Sequence, residues 1–224
     1  MEVDCTICNN LGLIFRVDDG QAFGKPCVCM VEYNNKIRIQ KSGLARAFEV
    51  YTFDKYIVSR NWQKVVKGKA LEFVENSESE WFFIGGAVGS GKSHICTAIC
   101  AELIKHKNIY YMPWRDDVVN LKANVTDALE YQVLINKLKT IEVLYIDDFF
   151  KGSITLPDKN VAFEILNSRY NKRLTTIISS EHGIDEIIGM DEAIGSRIFQ
   201  MSKNYSFIIP IGKFENENNY RLNN

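Results

Sequence analysis

The sequence predicts an α/β domain built on a parallel sheet, preceded by a small cysteine-bearing module. Three observations predict it. Short apolar runs at Trp81–Ile84, Ile109–Met112, Ile141–Ile146, Thr175–Ser179 and Tyr205–Ile211 alternate with segments of helical period. Strand–helix alternation of this kind is the pattern of a parallel sheet with helices on its faces. A glycine-rich turn, Gly86–Ser93, follows the first run and opens a helical segment, and the third run ends in two carboxylates, Asp147 and Asp148. Carboxylates at that position fall on the sheet edge where open parallel folds bind ligands.

A length of 224 residues suits one medium domain with a small appendage. The composition, 46% hydrophobic and 25% charged, excludes a disordered or fibrous chain. No window approaches the roughly 18 apolar residues that a membrane helix needs. The first ten residues have neither the basic nor the apolar region of a signal peptide. The expectation is a cytoplasmic chain with no membrane contact. The net charge of -1 means that any nucleic-acid contact must come from a local patch.

Residues 1–32 read as a separate miniature module. Cys5-x-x-Cys8 and Cys27-x-Cys29 flank an apolar run, Leu11–Val17, and an Asp18-Asp19-Gly20 turn of hairpin type. Too few apolar side chains are present for such a piece to hold itself together without a metal or disulfides. Four thiolates complete a closed tetrahedral Zn²⁺ site, which is structural. A redox pair and free thiols are the alternatives, but the βαβ context of a thioredoxin-like motif is missing. Cys96 and Cys100 lie four apart in an apolar helical pattern and are expected in the core.

Residues 33–80 read as a basic, mostly helical lead-in. The stretch from Lys36 to Lys69 carries +7, and Trp62, Val65, Val66, Ala70, Phe73 and Val74 mark one face of a helix. Tyr51, Phe53, Tyr56 and Trp62 are interleaved with the cations. That arrangement fits single-stranded DNA, through phosphate contact and base stacking. It fits equally a solvated helix with an aromatic core face.

Gly86, Ala87, Val88, Gly89, Ser90, Gly91, Lys92 and Ser93 match G-x-x-x-x-G-K-[ST] in full, between a strand and a helix. Glycines let successive N–H groups turn toward a β-phosphate, and the helix that follows adds its positive end. With His94 these residues form the expected ATP-binding stretch. Lys92 is placed to bridge the β- and γ-phosphates, and Ser93 to ligate Mg²⁺. Asp147 completes the Mg²⁺ site. Asp148 orients or deprotonates the attacking water. Many ATPases carry Glu there, and the shorter Asp implies slower hydrolysis. A polar residue at the end of the run Thr176–Glu181 falls beside the γ-phosphate. Arg197, beside apolar Ile198, is placed as an arginine finger for a neighbouring subunit.

The ordered set of Gly86–Ser93, Tyr-Ile-Asp-Asp at 145–148, Thr-Ile-Ile-Ser-Ser-Glu at 176–181 and Ile-Gly-Ser-Arg at 194–197 resembles the AAA+ ATPase domain of bacterial and phage replicative-helicase loaders of the DnaC/DnaI type. The transposition helper IstB is a close relative. The resemblance spans about Phe48 to Gly212, including the lead-in Phe48–Asp54. It implies a P-loop NTPase with a five-stranded parallel sheet in the order 5-1-4-3-2, and Arg197 as the finger acting in trans. It implies Glu181 as the strand-end sensor, where relatives often carry Asn, with Ser180 as the alternative. It implies an ATPase core at 81–213 and a polar tail at 214–224 too short for a full C-terminal lid, in which Arg221 would be the substitute for the lid arginine. In such proteins a cysteine-bearing N-terminal piece docks on the helicase, and initiator-type relatives carry DNA-facing helices where Trp114–Asp117 lie.

The implied function is ATP-dependent loading of a hexameric replicative DNA helicase on single-stranded DNA. Turnover would be slow and partner-stimulated, and the chain would oligomerise on the helicase or the DNA. The alternatives are an IstB-like helper of a transposase acting on duplex DNA and a nucleotide-switched adaptor with little turnover. A small-molecule kinase is disfavoured by the missing substrate lid and by Arg197.

Overall fold

Hydrogen bonding and side-chain alternation divide the chain into a hairpin module and a layered core. The structure, a computed structural model, describes residues 5–9, 11–18, 21–125, 127–209 and 219. Strands β1 (Leu13–Asp18) and β2 (Gln21–Pro26) pair antiparallel, with Asp18 opposite Gln21. Asp19 and Gly20 of the expected turn lie outside the described residues. Helix α1 (Val28–Lys41) starts beside Cys27 and runs through the 32/33 boundary without a break.

Two more helices, α2 (Ala47–Val50) and α3 (Asn61–Glu75), lead to β3 (Trp81–Gly86) and α4 (Lys92–Leu103). Then follow β4 (Ile109–Pro113), α5 (Trp114–Ala123), α6 (Ala128–Thr140), β5 (Val143–Phe149) and α7 (Leu156–Lys172). Strand β6 (Thr175–Ser180), α8 (Ile184–Met190), α9 (Glu192–Met201) and β7 (Ser206–Ile209) complete the described core. The five core strands are parallel in the order β4-β5-β6-β3-β7. Numbered within the sheet and read from its β7 edge, that order is 5-1-4-3-2. The expected third strand starts later and ends later, because Ile141 caps α6 and the strand continues through the carboxylates.

Period-two alternation sends neighbouring strand residues to opposite faces. Trp81, Phe83, Leu144 and Ile146 pack with α5 to α9 on one face. Phe82, Ile84, Val143 and Tyr145 pack with α3 and α4 on the other, where Cys96 and Cys100 are fully buried. Burial on both faces explains why these strands read as continuous apolar runs. No helix among the described residues is long and apolar enough to cross a membrane.

The lead-in is a layer of the core. Val66, Ala70 and Phe73 of α3 are buried, and the Phe73 ring meets Phe82 and Tyr205 edge-on at 5.5 and 5.1 Å. Phe53 and Tyr56 are buried in the same cluster. The aromatic core face therefore describes these two residues, which are not available for base stacking. The Tyr111 N–H donates to the Ser42 carbonyl at 3.0 Å, so the lead-in also pairs with edge strand β4.

Arg169 of α7 is fully buried. Its guanidinium donates to the Leu138, Ile141 and Thr175 carbonyls at 2.9, 2.8 and 2.6 Å and to the Thr176 hydroxyl at 2.9 Å. One cation thus ties the end of α6, the turn into β5 and the start of β6. Arg169→Ala strands these acceptors and is expected to cost about 3 kcal/mol in a denaturant titration.

Candidate nucleotide-binding site

The turn between β3 and α4 has a shape that side chains would prevent. Gly86 has φ +110°, and a Cβ there would run into the Ile209 carbonyl of β7. Gly89 has φ +69°, and a Cβ there would collide with the side chain of Asn219 from the tail. The buried Ser90 hydroxyl donates to the Ala87 carbonyl at 2.7 Å and closes the loop. Lys92 opens α4 and is buried, with Nζ donating to the Gly86 and Ala87 carbonyls at 2.9 and 2.8 Å. Burial pulls its pKa down, opposed by the charges of Asp148 and Glu181.

The Ser93 hydroxyl donates to Asp147 Oδ1 at 3.0 Å and joins the loop to the end of β5. Three further hydroxyls reach the same carboxylate: Tyr145 at 2.7 Å and Ser179 at 2.5 Å on Oδ1, and Tyr111 at 2.9 Å on Oδ2. Burial, reinforced by the carboxylate charge, pushes the Tyr111 phenol above its ordinary pKa and keeps it a donor. The Ser179 hydroxyl also accepts the Asp148 N–H at 3.0 Å. Sequence reading marked Ser179 only as one of the polar residues that end the run Thr176–Glu181, and it passed over Tyr145 and Tyr111. Tyr145 was findable, because it stands two residues before Asp147 and so on the same strand face. Tyr111 needed the register that sets it opposite Tyr145. Ser179 needed the pairing of β5 with β6, which is irregular between Ile146 and Phe149.

A cleft of about 230 Å³ opens over the loop. Val88 to His94 line one side and Asp148 and Glu181 another. Tyr51 of the lead-in and Lys151, neither foreseen, complete it. Ser180 is buried: its hydroxyl donates to the Phe149 carbonyl at 2.8 Å and accepts the His182 N–H at 3.0 Å. Of the two strand-end candidates, Glu181 lines the cleft and Ser180 does not.

Arg197 on α9 is not among the residues lining the chain's own cleft. Its Nε donates to Asn167 at 3.1 Å and its Nη1 to the Ala193 carbonyl at 2.6 Å. The guanidinium lies 5.0 Å from the Phe163 ring centre and 5.5 Å from that of Tyr170. Arg221 lies outside the described residues.

A family model described as IstB-like ATP binding protein matches residues 30–217. The chain belongs to this ATP-binding family. YqaM, an uncharacterised protein of Bacillus subtilis, is 33% identical over 202 residues, covering 84% of this chain and 64% of its own length. The chain therefore spans slightly under two thirds of that relative. A protein of Buchnera aphidicola named replicative helicase loader DnaC is 28% identical over 182 residues, covering 75% of this chain and 71% of that one. The crystal structure of a DnaC helicase loader superposes with a TM-score of 0.65 at 20% identity, over 74% of this chain and 99% of that one. The two share the fold, and the sheet order is the one that the family resemblance implied.

In this member of the IstB-like family, His94 fastens the lead-in to the phosphate loop. Its Nε2 lies 2.9 Å from the Thr52 carbonyl, and its ring meets Tyr51 and Tyr56 at 5.1 and 5.2 Å.

The four N-terminal cysteines converge, with every Sγ within 4.8 Å of the others. Cys5 and Cys27 are 3.8 Å apart, and Cys8 and Cys29 3.5 Å. A tetrahedral ion with Zn–S of about 2.3 Å sets sulfurs about 3.8 Å apart, so the set fits one ion. The Gly12 N–H donates to Cys8 Sγ at 3.3 Å. Backbone N–H groups of Cys8 and Ile7 pull the Cys5 thiol down to about 7.

His94 makes stability depend on pH. Burial lowers its pKa below the ordinary 6.5. As pH falls past that value the unfolded chain takes up the proton first. The stability tied to His94 is present above it and lost on the way down through the folded value. His94→Gln should flatten the fall in denaturant midpoint between about pH 7.5 and 5 relative to the unsubstituted chain.

Proposed function

We propose that the chain binds and hydrolyses ATP and loads a replicative DNA helicase onto single-stranded DNA at replication initiation. The observation that carries this reading is the Ser93–Asp147 contact, with Lys92, Asp148 and Glu181 around one cleft. That arrangement is the phosphoryl-transfer layout. The DnaC-named relative supplies the loader direction.

In this reading the loop N–H groups and the first turn of α4 hold the β-phosphate. Lys92 leaves the Gly86 and Ala87 carbonyls for the phosphates. Ser93 and Asp147 would hold Mg²⁺, which when bound offsets phosphate charge. Asp148 orients the attacking water and accepts its proton. Glu181 senses the terminal phosphate. Arg197, away from its own cleft, serves the nucleotide of a neighbouring copy, so the working form is an oligomer on the helicase or the DNA. The cysteine cluster holds structural Zn²⁺, and its module supplies the helicase contact.

The decisive experiment measures ATPase rate and complex formation with a hexameric replicative helicase, with and without single-stranded DNA. An ATP-modulated helicase complex supports the reading. Filaments on duplex DNA without a helicase complex would transfer it to the transposase-helper role.

Lys92→Ala should abolish nucleotide binding. Arg197→Ala should spare binding but reduce turnover by about a hundredfold at concentrations that permit assembly. For the module, elemental analysis should find one zinc per chain, and Cys8→Ser should lose it. Acidification should release the metal from the unsubstituted chain, because ligation needs thiolates.

A further inference from the structure

We propose that Lys151 is a second cation of the nucleotide cleft, one that contacts the terminal phosphate and makes the site prefer a nucleoside triphosphate to a diphosphate. The inference rests on the ATP reading of the cleft and assigns within it a role that no sequence motif marks.

The backbone is built to aim this side chain. At the end of β5 the chain turns, with Asp148 at φ +54° and Phe150 at φ +59°. Non-glycine residues seldom adopt the left-handed region, and two within three positions persist only where the surroundings enforce them. The surroundings here are aromatic. Phe149 and Phe150 are fully buried and stacked at 4.0 Å, and Trp114 meets them edge-on at 4.8 and 5.4 Å. The Lys151 N–H closes the turn on the Asp148 carbonyl at 3.1 Å. The core thus holds a strained turn whose exit places Lys151 in the cleft wall.

Its partners are exchangeable. Nζ lies 2.9 Å from Asp148 Oδ2 and 3.0 Å from Glu181 Oε1. The lysine is 40% exposed and the two acids 38% and 31%, so water screens both pairs and a phosphate can compete with them. The hydrogen bonds of both carboxylates raise the lysine pKa and keep it charged.

The charge arrangement favours such a group. Loop N–H groups serve the inner phosphates, and Lys92 bridges the inner and the terminal one. The terminal phosphate falls between the loop and the strand ends, where Asp148 and Glu181 carry its own sign of charge. Lys151 stands between these two carboxylates and offsets the repulsion at the terminal phosphate. A diphosphate does not reach that position and gains nothing from it.

The test is equilibrium binding of a fluorescent non-hydrolysable ATP analogue and of fluorescent ADP, each with Mg²⁺, to the full chain and to Lys151→Met and Lys151→Arg. Lys151→Met is expected to lose on the order of tenfold in triphosphate affinity with ADP within about twofold, and Lys151→Arg to recover most of the loss. Retained ADP affinity reports an intact fold. Equal loss for both nucleotides, or no loss for either, overturns the inference. Failure of the unsubstituted chain to bind either nucleotide would instead overturn the reading on which it rests.

Discussion

The Asp147 carboxylate receives hydroxyls from α4, β4, β5 and β6 at once, through Ser93, Tyr111, Tyr145 and Ser179. A carboxylate offers about four acceptor positions, so these donors hold it in one orientation. The phosphate loop, three strands and the cleft-lining Asp148 are registered to one another through that group. Moving any one of the strands would displace the carboxylate expected to hold the metal.

The same tie reaches the N-terminal half. Tyr111 gives its hydroxyl to Asp147 and its backbone N–H to Ser42, just beyond α1. α1 in turn begins among the clustered cysteines. His94 makes a second tie, from the first turn of α4 to the lead-in at Thr52. The basic segment that resembled a linker is therefore joined to the nucleotide cleft at two points.

Opposite the cleft, the other end of the sheet is closed by a buried cation. Arg169 satisfies carbonyls at the strand entries, where parallel connections leave acceptors without ladder partners. It falls on the buried face of α7, three and four residues after Leu166 and Ile165, where α6 and α7 pack against β5 and β6.

The strand–helix alternation, the glycine turn with Lys92 and Ser93, the Asp147–Asp148 pair and the paired cysteines are legible in the residue order alone. These features are local in the chain, and each depends on residue type at fixed spacing. The sheet order came with the family resemblance, not from the pattern itself. Packing and register put Phe53 and Tyr56 in the core, turn Ser180 inward while Glu181 faces the cleft, and stand Lys151 between two carboxylates. Those outcomes depend on strand register and on the left-handed turn at Asp148 and Phe150. Contacts between residues distant in the chain set both, and no local pattern encodes them.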